Sequence, residues 1–272
     1  MIFPGLRVRK LAAMAADFKG SETHRFDAVD ALRGFAMVWM TVFHFCFDLN
    51  HFGYWRQNFL ADPFWIWQRT VILSLFLFTA GFGQAVAVHQ GQSWQRFWRR
   101  WSQVAACALL VSAGSYLMYP STFIYFGVLH GMAVMLIVVR LTAGWGRWLW
   151  WLGLLAVGAS FTMLIVADYA LMTGATTELF NSKALNWLGL VTRKPTTEDY
   201  VPMLPWLGVM WWGVAAGNWI MRQRAAWLSV PASSGNAGVR ALTALGRWSL
   251  SYYMLHQPVM IGGLMAIGWL VK

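Results

Sequence analysis

The chain has 272 residues, of which 58% are hydrophobic and only 11% charged, with 19 Trp and 18 Phe. That balance excludes a soluble globule and places the chain among polytopic, all-α membrane proteins. The net charge of +11 does not point to nucleic acid, because the basic residues sit in short loops between apolar runs.

Residues 1–27 read as a basic cytoplasmic tail with Arg7, Arg9, Lys10, Lys19 and Arg25, followed by a single transmembrane domain over 28–272. The first 20 residues lack a clean apolar run with a small-residue cleavage site, so no cleaved signal peptide is expected. Seven spans are predicted, and the first covers about 28–50. A loop through Tyr54, Asn58 and Asp62-Pro63 leads to the second, about 65–88, which ends in the small-residue run 78–83. The third covers about 102–118 and stops at the Tyr119-Pro120 turn. The fourth, about 122–140, carries His130, and the fifth covers about 147–167. A long loop, about 168–202, holds Asp168, Glu178, Glu198 and Asp199. The sixth span begins near Leu204-Pro205-Trp206 and ends near Met221. A basic, Ser- and Gly-containing loop then leads to the seventh, about 246–270. Cys46 and Cys107 both lie inside apolar runs, which argues against a disulfide or a cysteine metal site.

Seven spans put the termini on opposite sides. The tail, Arg96, Arg99, Arg100, Arg140, Arg147, Arg222, Arg224, Arg240 and Arg247 then share the N-terminal side. The other side has Arg56, Arg69, Lys183, Arg193, Lys194 and Lys272. Positive residues favour the cytoplasm, so the N-terminus is expected inside and the 168–202 loop outside.

The first span carries most of the chemistry. At about 100° per residue, Arg33, His44 and His51 fall within about 20° of one another, with Asp30 and Asp48 about 60° round. Ionisable groups at membrane depth usually face a bundle interior or a water-filled cavity and mark a site. The plain alternative is a buried Asp30–Arg33 ion pair with a packed histidine. His44 and Asp48 are spaced i, i+4, so the carboxylate can orient the imidazole and raise its basicity. That suits His44 as a general base or as a nucleophile that carries an acyl group. His130 and His256 either line the same cavity or bridge helices as satisfied buried histidines. Gln257-Pro258 breaks the helix beside His256 and frees a carbonyl. Three intramembrane histidines also permit bis-histidine haem ligation, although no two share a helix at a regular spacing. Arg96, Arg99 and Arg100 alternate with Phe97, Trp98 and Trp101. Such a cluster suits phosphates and a stacked nucleobase, or only topology and lipid headgroups.

The segment Arg25-Phe-Asp-Ala-Val-Asp-Ala-Leu-Arg33-Gly34, followed by His44 and Asp48-Leu-Asn, resembles bacterial membrane proteins grouped with heparan-alpha-glucosaminide N-acetyltransferase. More distantly it is similar to the acyltransferase-3 membrane family. Further matching pieces are 78–82, 97–100, Asp199 to Trp206, 245–251 and His256-Gln257-Pro258. The resemblance implies an acetyl-CoA donor bound from the cytoplasmic side and acyl transfer to a sugar hydroxyl or amine on the far side. It implies a bacterial inner-membrane location, membrane lipids, acyl-CoA and a glycan acceptor as partners, and no nucleic acid. A homodimer is left open. By carry-over His44 is catalytic with Asp48 and Arg33, and His51 is its alternative. Arg33, Arg96, Arg99 and Arg100 hold the donor, and His130, Asp199, Trp206 and His256 line the acceptor side. No metal is expected. A transporter or flippase using the same polar stripe is the competing class.

Overall fold

A computed structural model describes residues 26–182, 184–228 and 236–270; the basic tail residues, Lys183 and Lys272 fall outside them. The described residues are all-α. Eight helices follow in order: α1 Asp27–His51, α2 Pro63–His89, α3 Trp94–Met118, α4 Val128–Thr142, α5 Trp148–Thr173, α6 Met203–Gln223, α7 Ala237–Arg247 and α8 Ser249–Leu270. Five helical stretches are long and apolar enough to cross a membrane: α1, α2, α3, α4 with its extension to Trp145, and α5. This is a membrane protein.

Local chemistry explains the boundaries. Asp27 and Asp30 in the first turn of α1 complement the positive end of the helix. The Asp62 side chain accepts from the Phe64 amide at 2.9 Å, and Pro63 supplies a preset first turn for α2. The Ser93 side chain accepts from the Arg96 amide and starts α3 at Trp94. Arg96, Arg99 and Arg100 are therefore helical, not part of a loop as expected. At the far end of α5, Gly174 is left-handed with φ of 69°, a conformation glycine adopts without strain. Asp168 thus belongs to α5, not to the following loop.

Three further expectations are corrected. The fourth helix starts at Val128, because 122–127 is extended and pairs with 197–201. Glu198 donates to the Thr122 carbonyl at 2.9 Å, Val201 to the Phe126 carbonyl at 3.1 Å, and the Thr197 hydroxyl to the Phe123 carbonyl at 2.8 Å. Backbone that leaves helical form inside a bundle has to find such partners. The stretch expected as a basic loop contains α7, capped by the Asn236 side chain accepting from the Val239 amide at 3.0 Å. Helix α8 continues through Pro258 without a break.

The core has two parts. One joins α2, α4, α5 and α6 through Leu77, Met135, Leu149, Met210 and Val214. The other joins α1 and α2 through Met37, Met40 and Ile72, covered by Leu245, Tyr252 and Tyr253. Close approach depends on small residues, as in other membrane bundles. Gly34 of α1 and Gly246 of α7 sit against each other's helix. A Cβ on Gly34 would strike the Leu242 carbonyl, and one on Gly246 would strike the Asp30 carbonyl. Both obstacles are backbone, so the helices themselves would have to separate.

Either Gly34→Ala or Gly246→Ala is expected to lower stability by about 1–3 kcal/mol, the usual scale for overpacking. Thermal unfolding in detergent would read this as a lower midpoint. Gly262→Ala, where nothing stands within 4 Å of the new methyl, is the control and should show no loss. Equal behaviour of all three variants would contradict the packing.

Candidate active site

The site is built along the seam between α1 and α8. The pairs ascend together along both helices, so the helices run parallel. The Thr41 and Tyr252 hydroxyls are 2.7 Å apart, and the rings of His44 and His256 have centroids 5.3 Å apart at 64°. One turn on, the Gln257 amide donates to Asp48 Oδ1 at 2.8 Å. Of the stripe expected from the sequence of α1, His44 and Asp48 therefore meet polar partners on α8, while Asp30 and Arg33 pair with each other beside Arg247 of α7.

Asp48 is placed differently from the expected role. Its bond goes to Gln257, and among the described residues no hydrogen bond joins it to His44. Among the described residues His44 makes ring contacts to Phe43 and His256. It is His256 whose state is fixed. Its Nδ1 lies 2.7 Å from the Tyr253 carbonyl, which only accepts, so Nδ1 carries the hydrogen. In the neutral ring the lone pair is then on Nε2, which is buried without a hydrogen-bond partner among the described residues. Tyr252 stacks on this ring at 5.9 Å and 9°, and the Tyr253 ring stands 5.7 Å away. These contacts leave the imidazole little freedom to turn.

A cavity of about 220 Å³ runs between the two parts of the core, and Tyr253, whose ring meets that of His256, is among its lining residues. One end is polar, lined by Arg33, Gln84, Gln92, Arg100 and Ser249, and the other is lined by Val128, Leu129 and Tyr253. Apolar side chains, among them Phe76, Trp101 and Met132, form its walls. Arg33 is bonded to Asp30 at 3.1 Å. Asp30 is also 3.9 Å from Arg247, which itself bonds Asp27 at 2.6 Å. The expected ion pair and the expected cavity arginine are thus the same residue.

Of the three arginines in the α3 cluster only Arg100 reaches the cavity; Arg96 and Arg99 are exposed and do not line it. Arg140, not expected at the site, stands behind the polar end. Its guanidinium lies over Trp94 at 5.2 Å and Phe97 at 5.6 Å, and it donates to the Gln92 carbonyl. Its Nη1, Gln84 Oε1 and Gln92 Oε1 are buried without partners among the described residues. Such atoms cost free energy unless a polar ligand or water meets them.

The residues expected on the acceptor side separate. His130 is tied into the first turn of α4: Ser112 Oγ is 3.0 Å from its Nε2, and the Gly127 amide donates to its Nδ1 at 3.3 Å. Both ring nitrogens are occupied. Trp206 packs against the core. Asp199 accepts from the Val128 amide at 2.7 Å and so caps α4 where Val128 lines the cavity. Burial pushes the Asp199 carboxyl above the usual carboxylate range, while the Val128 bond, Lys194 and Arg69 pull it part of the way back. Tyr253, which the sequence did not single out, lines the cavity, and Asp199 is close enough to act on it electrostatically. No group of three or more metal-ligating side chains gathers among the described residues.

Residues 25–258 match the family described as heparan-alpha-glucosaminide N-acetyltransferase, catalytic. The chain belongs to this family. It is a membrane protein with an acetyltransferase-like function, and the match spans every element of the site. No curated protein and no solved structure matched it.

Asp199→Asn keeps an acceptor for the Val128 amide and removes a buried charge. The wild-type carboxyl titrates above its unfolded value, so its contribution to stability is full below the ordinary aspartate range. It is lost as pH rises through the folded value. Thermal unfolding followed from acid to neutral pH should show this decline in the wild type and not in the Asn variant. Asp199→Ala should cost about 1–3 kcal/mol at every pH, because the amide loses its partner. Parallel wild-type and Asn profiles would contradict the assignment.

Proposed function

We propose that this acetyltransferase takes its acyl group from acyl-CoA on the cytoplasmic side and passes it to a hydroxyl or amine, on a sugar, on the far side of the inner membrane. The observation that carries the reading is the cavity, which has Arg33 and Arg100 at one end and Tyr253 at the other, with the His256 ring 5.7 Å behind Tyr253 and His44 beside His256. Its volume of about 220 Å³ is below that of most small-molecule sites, on the order of 300–1,000 Å³. It suits an extended arm rather than a whole nucleotide. The pantetheine arm has amide groups for Gln84 and Gln92 and an apolar length for Phe76 and Met132. The phosphates would stay at the mouth, by Arg33 and Arg100, where planar guanidinium forks fit them.

In this scheme the imidazole pair is the base. The acceptor proton passes to His256 Nε2, and His44 beside it is the second member. The new bond forms at the thioester carbon, the carbon–sulfur bond breaks, and the thiolate leaves with the proton from the imidazolium. The direction of the chain supports the sidedness. Parallel α1 and α8 need a layout in which the helices between them return the chain to its starting side, as seven spans do. The arginine-rich end is then the one that the charge distribution assigns to the cytoplasm.

The test uses sealed vesicles of known orientation and labelled acetyl-CoA. Donor should work only from the face that exposes Arg100, and acylated acceptor should appear only on the other. His44→Ala and His256→Ala should each retain about a hundredth of wild-type transfer or less, the scale for losing a positioned base. Transport of an acceptor without label transfer would replace this reading by a transporter. Full activity with both substrates on one side would leave a one-sided transferase.

A further inference from the structure

The base pair and the donor slot leave one requirement unmet. Attack on a thioester puts negative charge on its carbonyl oxygen, and in a water-poor site that oxygen needs a positioned donor. Arg33 and Arg100 are at the wrong end of the cavity for this. We infer that the Tyr253 hydroxyl holds the thioester carbonyl oxygen and donates a hydrogen bond to the developing oxyanion. The inference rests on the acyl-transfer reading above.

Three observations place the hydroxyl. Tyr253 lines the cavity together with Val128, away from Arg33 and Arg100. The Val128 amide at that end is already taken by Asp199, so it is not the donor that the oxyanion needs. The ring of Tyr253 stands 5.7 Å from that of His256, whose Nε2 is the lone-pair nitrogen. Among the described residues no hydrogen bond occupies the Tyr253 hydroxyl. Tyr252, its neighbour in sequence, is engaged with Thr41 and is not available for the role.

The step balances. The acceptor O–H or N–H gives its proton to His256 as its oxygen or nitrogen bonds to the thioester carbon. The carbonyl π electrons move onto oxygen, which Tyr253 steadies without losing its own proton. The oxyanion collapses, the carbon–sulfur bond breaks, and the thiolate takes the proton from His256. Tyr253 thereby touches the reacting atoms while the base stays on the neighbouring helical turn.

Tyr253→Phe keeps the ring, its packing and its contact with His256, and removes only the hydroxyl. We expect kcat to fall about 100-fold, the scale for one oxyanion donor, with the donor KM within about two-fold of wild type. The infrared band of bound acetyl-CoA labelled with carbon-13 at the thioester carbonyl gives a second readout. In the wild type it should move to lower frequency than in free acetyl-CoA, and in the variant it should return to the free position while binding persists. An unchanged kcat, or a loss confined to donor KM with an unshifted band in both proteins, would overturn the inference. If the wild type neither binds acetyl-CoA nor transfers its acyl group, the acyl-transfer reading falls, and this inference with it.

Discussion

The hydrogen bond from the Val128 amide to the Asp199 carboxylate fixes where α4 begins, and much of the site follows from it. A helix whose first amides point into a packed bundle needs an acceptor there, and a buried carboxylate needs a donor. Each supplies the other's requirement. The segment before α4 is thereby held extended, and 197–201 pairs with it. Residue 127 is glycine, where a Cβ would meet the Asp199 carboxylate. His130 spends both ring nitrogens securing the first turn. At that end the space between the two parts of the core is lined by Val128, Leu129 and Tyr253.

The slot and the imidazole pair are joined by a single turn of α8. Tyr253 faces the slot, and its carbonyl orients His256, three residues on. One residue therefore shapes the end of the cavity and sets which imidazole nitrogen carries the lone pair. The α1–α8 seam keeps this turn in register through Thr41–Tyr252 before it and Asp48–Gln257 after it. Polar pairs of this kind join membrane helices where hydrophobic burial alone gives no preference. At the other end, Asp27 and Asp30 hold Arg247, and Asp30 also holds Arg33, so the arginine in the cavity is braced by charge on the same side.

The stripe on α1 was legible because a spanning helix makes every ionisable residue stand out and the helical repeat says which share a face. Arg33, His44 and Asp48 all fall on the seam or the cavity. What periodicity cannot supply is the partner. Asp48 looked like the companion of His44 at i, i+4, yet a carboxamide on α8, 209 positions along, takes its bond. Tyr253 was passed over because a tyrosine in an aromatic-rich span carries no signal until its neighbours are known. Arg140 was read as a topology charge because its partners, Trp94, Phe97 and Gln92, come from α3 and the turn before it. Helix α7 was read as a loop from its basic and small residues. Its signal was present in the Asn236 cap and in Val239, Leu242 and Thr243 at three- and four-residue spacing. The late start of α4 left no local mark, since it depends on a strand-like partner some 70 residues away.

The central claim is that the acyl end of the donor lies at the Val128–Tyr253 end of the slot, between α4 and α8. A CoA thioester with a photoreactive acyl group tests it directly, with the attachment sites mapped by mass spectrometry. Label should fall on the peptides that carry Val128 to Met132 and Tyr253 to His256, and unlabelled CoA should compete it away. Label confined to the exposed face of α3 around Arg96 and Arg99, or insensitive to CoA, would contradict the account.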